Sequence, residues 1–111
     1  MLNHQPSLDR VLHALADPTR RAIVERLSRG SVSVSKIAEP LDMTLAAVAQ
    51  HIQVLEQSGV ISTRKQGRVR TCQLQPRALD IVDRWIAQRR SMWERNFDQL
   101  GEILNERQRK S

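Results

Sequence analysis

Cysteine is nearly absent from this 111-residue chain; Cys72 stands alone. A single thiol forms no intramolecular disulfide, and its isolation suits a reducing compartment. Aromatic residues are scarce too: two Trp, one Phe and no Tyr. No apolar run approaches the roughly 20 residues that span a bilayer. The N-terminal stretch MLNHQPSLDRVLHALADP is amphipathic and carries acids, unlike a signal or transit peptide. A cytoplasmic protein with no membrane partner is expected. His4, His13 and His51 are scattered, and no Cys–His or carboxylate cluster has ligand spacing. No Ser-His-Asp order, phosphate loop or paired-carboxylate constellation is present. These absences argue against a metal, a cofactor and an enzyme.

What is present is positive charge. Eighteen Lys+Arg stand against twelve Asp+Glu, a formal net charge of +6, with a sequence pI near 11.0. That balance fits a polyanionic partner, with nucleic acid the first candidate. The length implies one domain, residues 1–111, with a real but modest core. No internal repeat or low-complexity segment interrupts it.

Leu8, Val11, Leu12 and Leu15 have helical spacing, which predicts a first helix over 7–16. Asp17 suits the cap of a second helix and Pro18 its first position, where no N–H bond is lost. That helix is expected to turn Ala22, Ile23 and Leu27 inward and to stop near Gly30. Ser33 suits the cap of a short third helix, with Val34, Ile37 and Leu41 inward and Pro40 limiting its length. Asp42-Met43-Thr44 reads as a turn, with Thr44 capping a fourth helix. Val48, Ile52 and Leu55 share one face of it, joined by Leu45. Gly59 supplies the left-handed residue that ends it. Two strands follow, 62–65 and 68–74, turning at Gln66-Gly67, with Cys72 on the same face as Arg70 and Leu74. Pro76 then precedes a long last helix over 77–107, whose charged end, Glu106–Lys110, is expected to fray.

The fold class is therefore mostly α with a small β-hairpin: a winged helix-turn-helix, with 33–58 as the helix-turn-helix and 62–74 as the wing. Such a module lays one helix in the major groove of double-stranded DNA. The fourth helix offers small or neutral residues, Thr44, Ala46, Ala47, Gln50, His51 and Gln53. Small side chains permit close approach and touch thymine methyls; Gln50 can pair with adenine. His51 also suits a structural place or a phosphate contact. From Gln57 to Leu79 there is no Asp or Glu, while Arg64, Lys65, Arg68 and Arg70 are basic. They are expected on phosphates, which dominate affinity and make it salt-dependent. Arg20, Arg21 and Lys36 are weaker candidates for the same role. His13 is expected at a helix packing surface, and Cys72 in packing.

The last helix carries both Trp and the Phe. Leu79, Val82, Ile86, Trp93, Phe97, Leu100 and Leu104 are spaced by 3, 4, 7, 4, 3 and 4, nearly a heptad seam with Arg89 at the gap. A seam longer than its own core can cover predicts a second subunit, with Leu8, Val11 and Leu12 of the first helix helping. A two-fold homodimer would set two reading helices about 34 Å apart on a pseudo-palindromic operator.

With these residues laid out, LADPTRRAIVERL (Leu15–Leu27) resembles the second-helix signature of the ArsR/SmtB family of bacterial winged-helix regulators. VSKIAEPLDMTLAAVAQHIQVLEQSGVISTRKQGRVRTCQL (Val34–Leu74) is similar to its helix-turn-helix and wing. The tail resembles the Trp-containing final helix of a metal-independent branch. The resemblance implies a homodimeric transcriptional repressor that uses Thr44–Gln53 for the major groove and Arg64–Arg70 as wing. The chain departs from metal-sensing members: its third helix lacks a cysteine pair and its last helix lacks histidine. Redox-sensing members use two cysteines. Ala49 stands where the family often has a Ser that bonds DNA. Two other readings stay open: a protein-interaction module docking through the long helix, and a repressor relieved by a small-molecule effector near Trp85, Trp93 and Phe97.

Overall fold

The structure is a computed structural model and describes residues 6–109; His4 and Lys110 lie outside them. Four helices and a hairpin precede one long helix: α1 (Leu8–Leu15), α2 (Pro18–Leu27), β1 (Val32–Ser33), α3 (Val34–Ala38), α4 (Leu45–Gln57), β2 (Ile61–Gln66), β3 (Val69–Leu74) and α5 (Pro76–Arg109).

The local signals explain the starts. Ser7, Asp17, Ser33 and Thr44 are extended, and each side chain accepts the N–H three residues on, at 3.4, 3.0, 3.3 and 3.1 Å. Each bond satisfies one of the N–H groups left free at a helix start. The end of α4 is equally determined. Gly59 has φ +81°, the Gly59 N–H reaches the Glu56 carbonyl, and the Val60 N–H reaches Leu55 at 3.0 Å. This paired closure needs a left-handed residue at Gly59 and brings Val60 onto Leu55; both are fully buried.

The hairpin turns one residue later than its composition suggests. Gln66 pairs with Val69, so Gly67 and Arg68 are the two loop residues. Gly67 has φ +63°, and among the described residues no non-glycine residue has positive φ. That is the pattern of a type II′ turn, in which glycine takes the first central position. A third strand was not legible in the sequence. Val32 and Ser33 pair antiparallel with Cys72 and Thr71, giving the order β1-β3-β2. Two residues are too few for a period-two pattern to show.

The core takes residues from nearly every element: Val11 and Ala14, Ile23 and Leu27, Ile37, Val48, Ile52 and Leu55, Val60 and Ile61, Cys72, and Ala78. Several expectations are corrected. Ala22 is exposed, because one residue from Ile23 is about 100° around the helix. Leu41 is half-buried but lies beyond α3, which ends before Pro40. His13 is exposed. Val11 is completely buried within its own chain, so it is core and not free for a partner. Pro76 is the first residue of α5, where its missing N–H costs nothing, and α5 continues through Glu106 to Arg109 rather than fraying.

At about 1.5 Å per residue the 34 residues of α5 span roughly 51 Å. The molecule measures 76 × 33 × 20 Å, because α5 runs past the body it starts from. Ala78, Leu79, Ile81 and Val82 are buried or half-buried at its beginning, Val82 against the core. From Asp83 to Arg109 every residue except half-buried Gly101 is exposed. Among the described residues no helix is long and apolar enough to cross a membrane.

Candidate nucleic-acid interface

The packed face of α4 is Val48, Ile52 and Leu55. The opposite face is consequently fixed: Ala46, Ala49, Gln50 and Gln53 are all exposed, at the spacings that make neighbours on a helix. Glu56 is the single charged residue of α4, and it is occupied by the Thr63 hydroxyl of β2. The outer face therefore presents methyl groups and two amides, with no charge to be desolvated on contact.

The structure separates the candidate contact residues. Ala46, Gln50 and Gln53 are free. Thr44 is exposed, but its hydroxyl accepts the Ala47 N–H and holds the helix start. Ala47 is half-buried, since it lies next to Val48 at the edge of the packed face. His51 is turned to the body: its Nδ1 lies 3.3 Å from Arg20 Nη1 and 3.9 Å from Asp17 Oδ2. A guanidinium only donates, so Nδ1 is the acceptor in this contact.

Arg20 makes more than that one contact. Its Nε donates to the Ala14 carbonyl at 2.7 Å and its Nη2 to the His13 carbonyl at 3.2 Å. Arg21 Nη1 donates to Leu15 at 2.8 Å. These carbonyls lie in the last turn of α1, where partners within the helix run out, although His13 also accepts the Ala16 N–H. Two residues that read as spare cations are thus spent on joining α1 to α2 and, through His51, to α4. The Arg20 backbone N–H on its carboxylate, with the Arg20 guanidinium charge beside it, holds Asp17 below the ordinary carboxylate range. Lys36 remains exposed.

In the hairpin, strand alternation divides the cations. Lys65 pairs directly with Arg70, and both share the face of Thr63 and Cys72; Arg64 pairs with Thr71 on the other face. Arg68 occupies the turn. All four are exposed. Like charges directly opposed across an antiparallel pair are unfavourable, so the Lys65–Arg70 pair favours a bound anion. Arg70 is further oriented by a 2.9 Å bond to the Thr63 hydroxyl, which in turn donates to Glu56. This chain ties the wing to the C-terminal turn of α4. Cys72 lies beneath, fully buried. Burial pushes its thiol up to about 11, helped by Glu56 and opposed by Arg70. Among the described residues no group of His, Cys, Asp or Glu could hold a metal ion.

A short helix, a turn, an uncharged outward helix face and a basic hairpin in sequence define a winged helix-turn-helix. The comparisons carry the same conclusion. Residues 15–64 match the helix-turn-helix domain family. HTH-type transcriptional regulator Rv2034 of Mycobacterium tuberculosis is 45% identical over 73 residues, 66% of this chain and 68% of that protein. Transcriptional repressor SdpR of Bacillus subtilis is 33% identical over 61 residues, 55% of this chain and 68% of that one. The protein is thus a DNA-binding transcriptional regulator of the helix-turn-helix class, not an enzyme. A crystal structure of an ArsR family transcriptional regulator superposes with a TM-score of 0.76 at 49% identity, covering 78% of this chain and 90% of that one. An ArsR-like transcriptional regulator from Rhodococcus sp. RHA1 gives 0.75 at 28% identity, over 86% and 91%. The chain belongs to the ArsR family.

Proposed function

We propose that the protein is a cytoplasmic, homodimeric repressor that binds a pseudo-palindromic operator and blocks promoter access. The observation that carries this reading is the sequence of surfaces just described: an uncharged, exposed α4 face followed by an acid-free basic hairpin. Gln50, Ala46 and Gln53 take base edges; Arg64, Lys65, Arg68 and Arg70 take phosphates. Thr44 and His51 act by holding the helix that does so. Similarity to proteins named as repressors supports repression over activation.

The second subunit is supported by α5. Ile86, Trp93, Phe97, Leu100 and Leu104 are all exposed on one helix, at the spacing of a seam. Leu12 of α1 is exposed as well, so α1 and α5 together form the dimerisation surface, with Leu8 at its edge. Leu79 and Val82 belong to it only in part, because the body of the protein already half-covers them. The chain lacks the ligand sets of metal sensors, which supports the metal-independent branch. A small-molecule effector is a second reading. Trp85, Ile86, Arg89, Trp93 and Phe97 line an apolar groove on α5, with the Arg89 guanidinium 5.0 Å over the Trp85 ring.

Two variants test the division of labour. Gln50→Ala should weaken binding to the operator by about 1–3 kcal/mol and leave random duplex nearly untouched. Arg68→Ala should weaken both alike. Equal losses on both duplexes for Gln50→Ala would remove it from base reading.

A further inference from the structure

Leu45 is an apolar residue of α4 that the fold leaves uncovered. Its spacing from Val48 places it with the packed face, yet it is 60% exposed. The cause is its position: it is the first residue of α4, one turn beyond the layer where Val48 meets the core. A single exposed leucine is ordinary, so exposure alone says nothing. Its neighbours and its place do. Leu45 stands at the border between the packed and outer faces of α4, one turn before exposed Ala49 and next in sequence to exposed Ala46, with exposed Met43 just ahead of the helix. Together they make a hydrocarbon surface at the N-terminal turn, the part of a reading helix that meets base edges. No lysine or arginine of α4 interrupts it. In the major groove the apolar group that a base pair offers is the 5-methyl of thymine.

We infer that Leu45 is a specificity-determining residue that packs on the 5-methyl group of one thymine in each half-site. Ala46 and Ala49 let the helix approach closely enough for that contact, and Gln50 takes the adenine edge beside it. The inference rests on the DNA-binding mode proposed above and names a base-reading residue that the sequence pattern assigned to the core.

The test begins with a duplex recovered by selection from a random-sequence pool. Each thymine is then replaced by deoxyuridine, which removes only the methyl group, and binding is measured for the wild type, Leu45→Ala and Leu45→Met. One thymine per half-site should be found at which uracil weakens the wild type about fourfold, the effect of uncovering one methyl group, and about 15-fold with both half-sites changed. Leu45→Ala should bind the uracil and thymine duplexes equally, with an unchanged circular dichroism spectrum. Leu45→Met, which keeps a hydrocarbon tip, should retain the discrimination. No uracil-sensitive position in the wild type, or the same sensitivity in Leu45→Ala, would overturn the inference. A selection that enriches no sequence would remove the site-specific reading beneath it, a different failure with a different signature.

Discussion

Replacing Phe97 by alanine should dissociate the proposed homodimer without disturbing the fold. Phe97 is 59% exposed on α5 and sits edge to face with Trp93, ring centres 5.2 Å apart. Fully burying a phenylalanine is worth about 1.5–3 kcal/mol. The exposed fraction, if covered by a partner, is therefore worth roughly 0.9–1.8 kcal/mol per subunit on the same scale. A two-fold interface uses each residue twice, so the variant should lose roughly 2–3.5 kcal/mol of association. That is a dimer dissociation constant weaker by about 30- to 400-fold. Alanine is the best helix former, and nothing in the core touches position 97, so far-UV circular dichroism should not change. Sedimentation equilibrium over a concentration series reads the constant directly. The same constant in the variant and the wild type, or a wild type that stays monomeric throughout, would refute the role given to α5.

Other expectations follow from particular contacts. Arg68→Ala should lower the salt slope of DNA binding by about 0.9 per wing, about 1.8 for two wings. Between 50 and 200 mM salt the wild type should then lose about 12-fold more affinity than the variant; an unchanged slope would take Arg68 off the phosphates. Thr44→Ala should cost about 1 kcal/mol of stability through the lost cap, seen as a lower melting temperature that Thr44→Ser restores. Asp17, whose carboxyl lies below its ordinary value near 3.8, stabilises the native state above that value, and the contribution is lost as pH falls through its folded value. Asp17→Asn should therefore melt below the wild type at neutral pH, with the gap closing in acid below about pH 4. Cys72, buried and raised to about 11, should resist alkylation at pH 8 until the protein unfolds; rapid native-state labelling would contradict that.

The elements that were legible share a property: their signals are local. Asp17-Pro18, Ser33 and Thr44 cap their own helices, and Gly59 and Gly67 supply backbone angles that other residues avoid. Periodicity placed Ile52, Leu55 and Val48 inward because one stripe meets one core. What periodicity could not say is where the core stops. Leu45 is in phase with Val48 but one turn too early, and Val11 is in phase with a seam yet lies inside its own subunit. Leu79 and Val82 likewise stand where the body ends and the free length of α5 begins. Long-range partners were equally hidden. Arg20 and Arg21 look like spare cations, and only the packing of α1 against α2 shows that their guanidinium groups donate to the last-turn carbonyls of His13, Ala14 and Leu15. The same packing turns His51 from a groove candidate into the link between α4 and the α1–α2 corner. β1 carries no local signal, because its two residues are strand only by virtue of Cys72 and Thr71 beside them.

The binding reaction itself tests the central claim most directly. The purified protein should be titrated with a labelled duplex of its own upstream region and with a random duplex of equal length, across a salt series. The account predicts tight, salt-sensitive binding that prefers the upstream duplex, with two subunits per site. Weak binding, equal for both duplexes at every salt concentration, would contradict it for that site; the operator would then lie elsewhere or the wing would supply only general attraction.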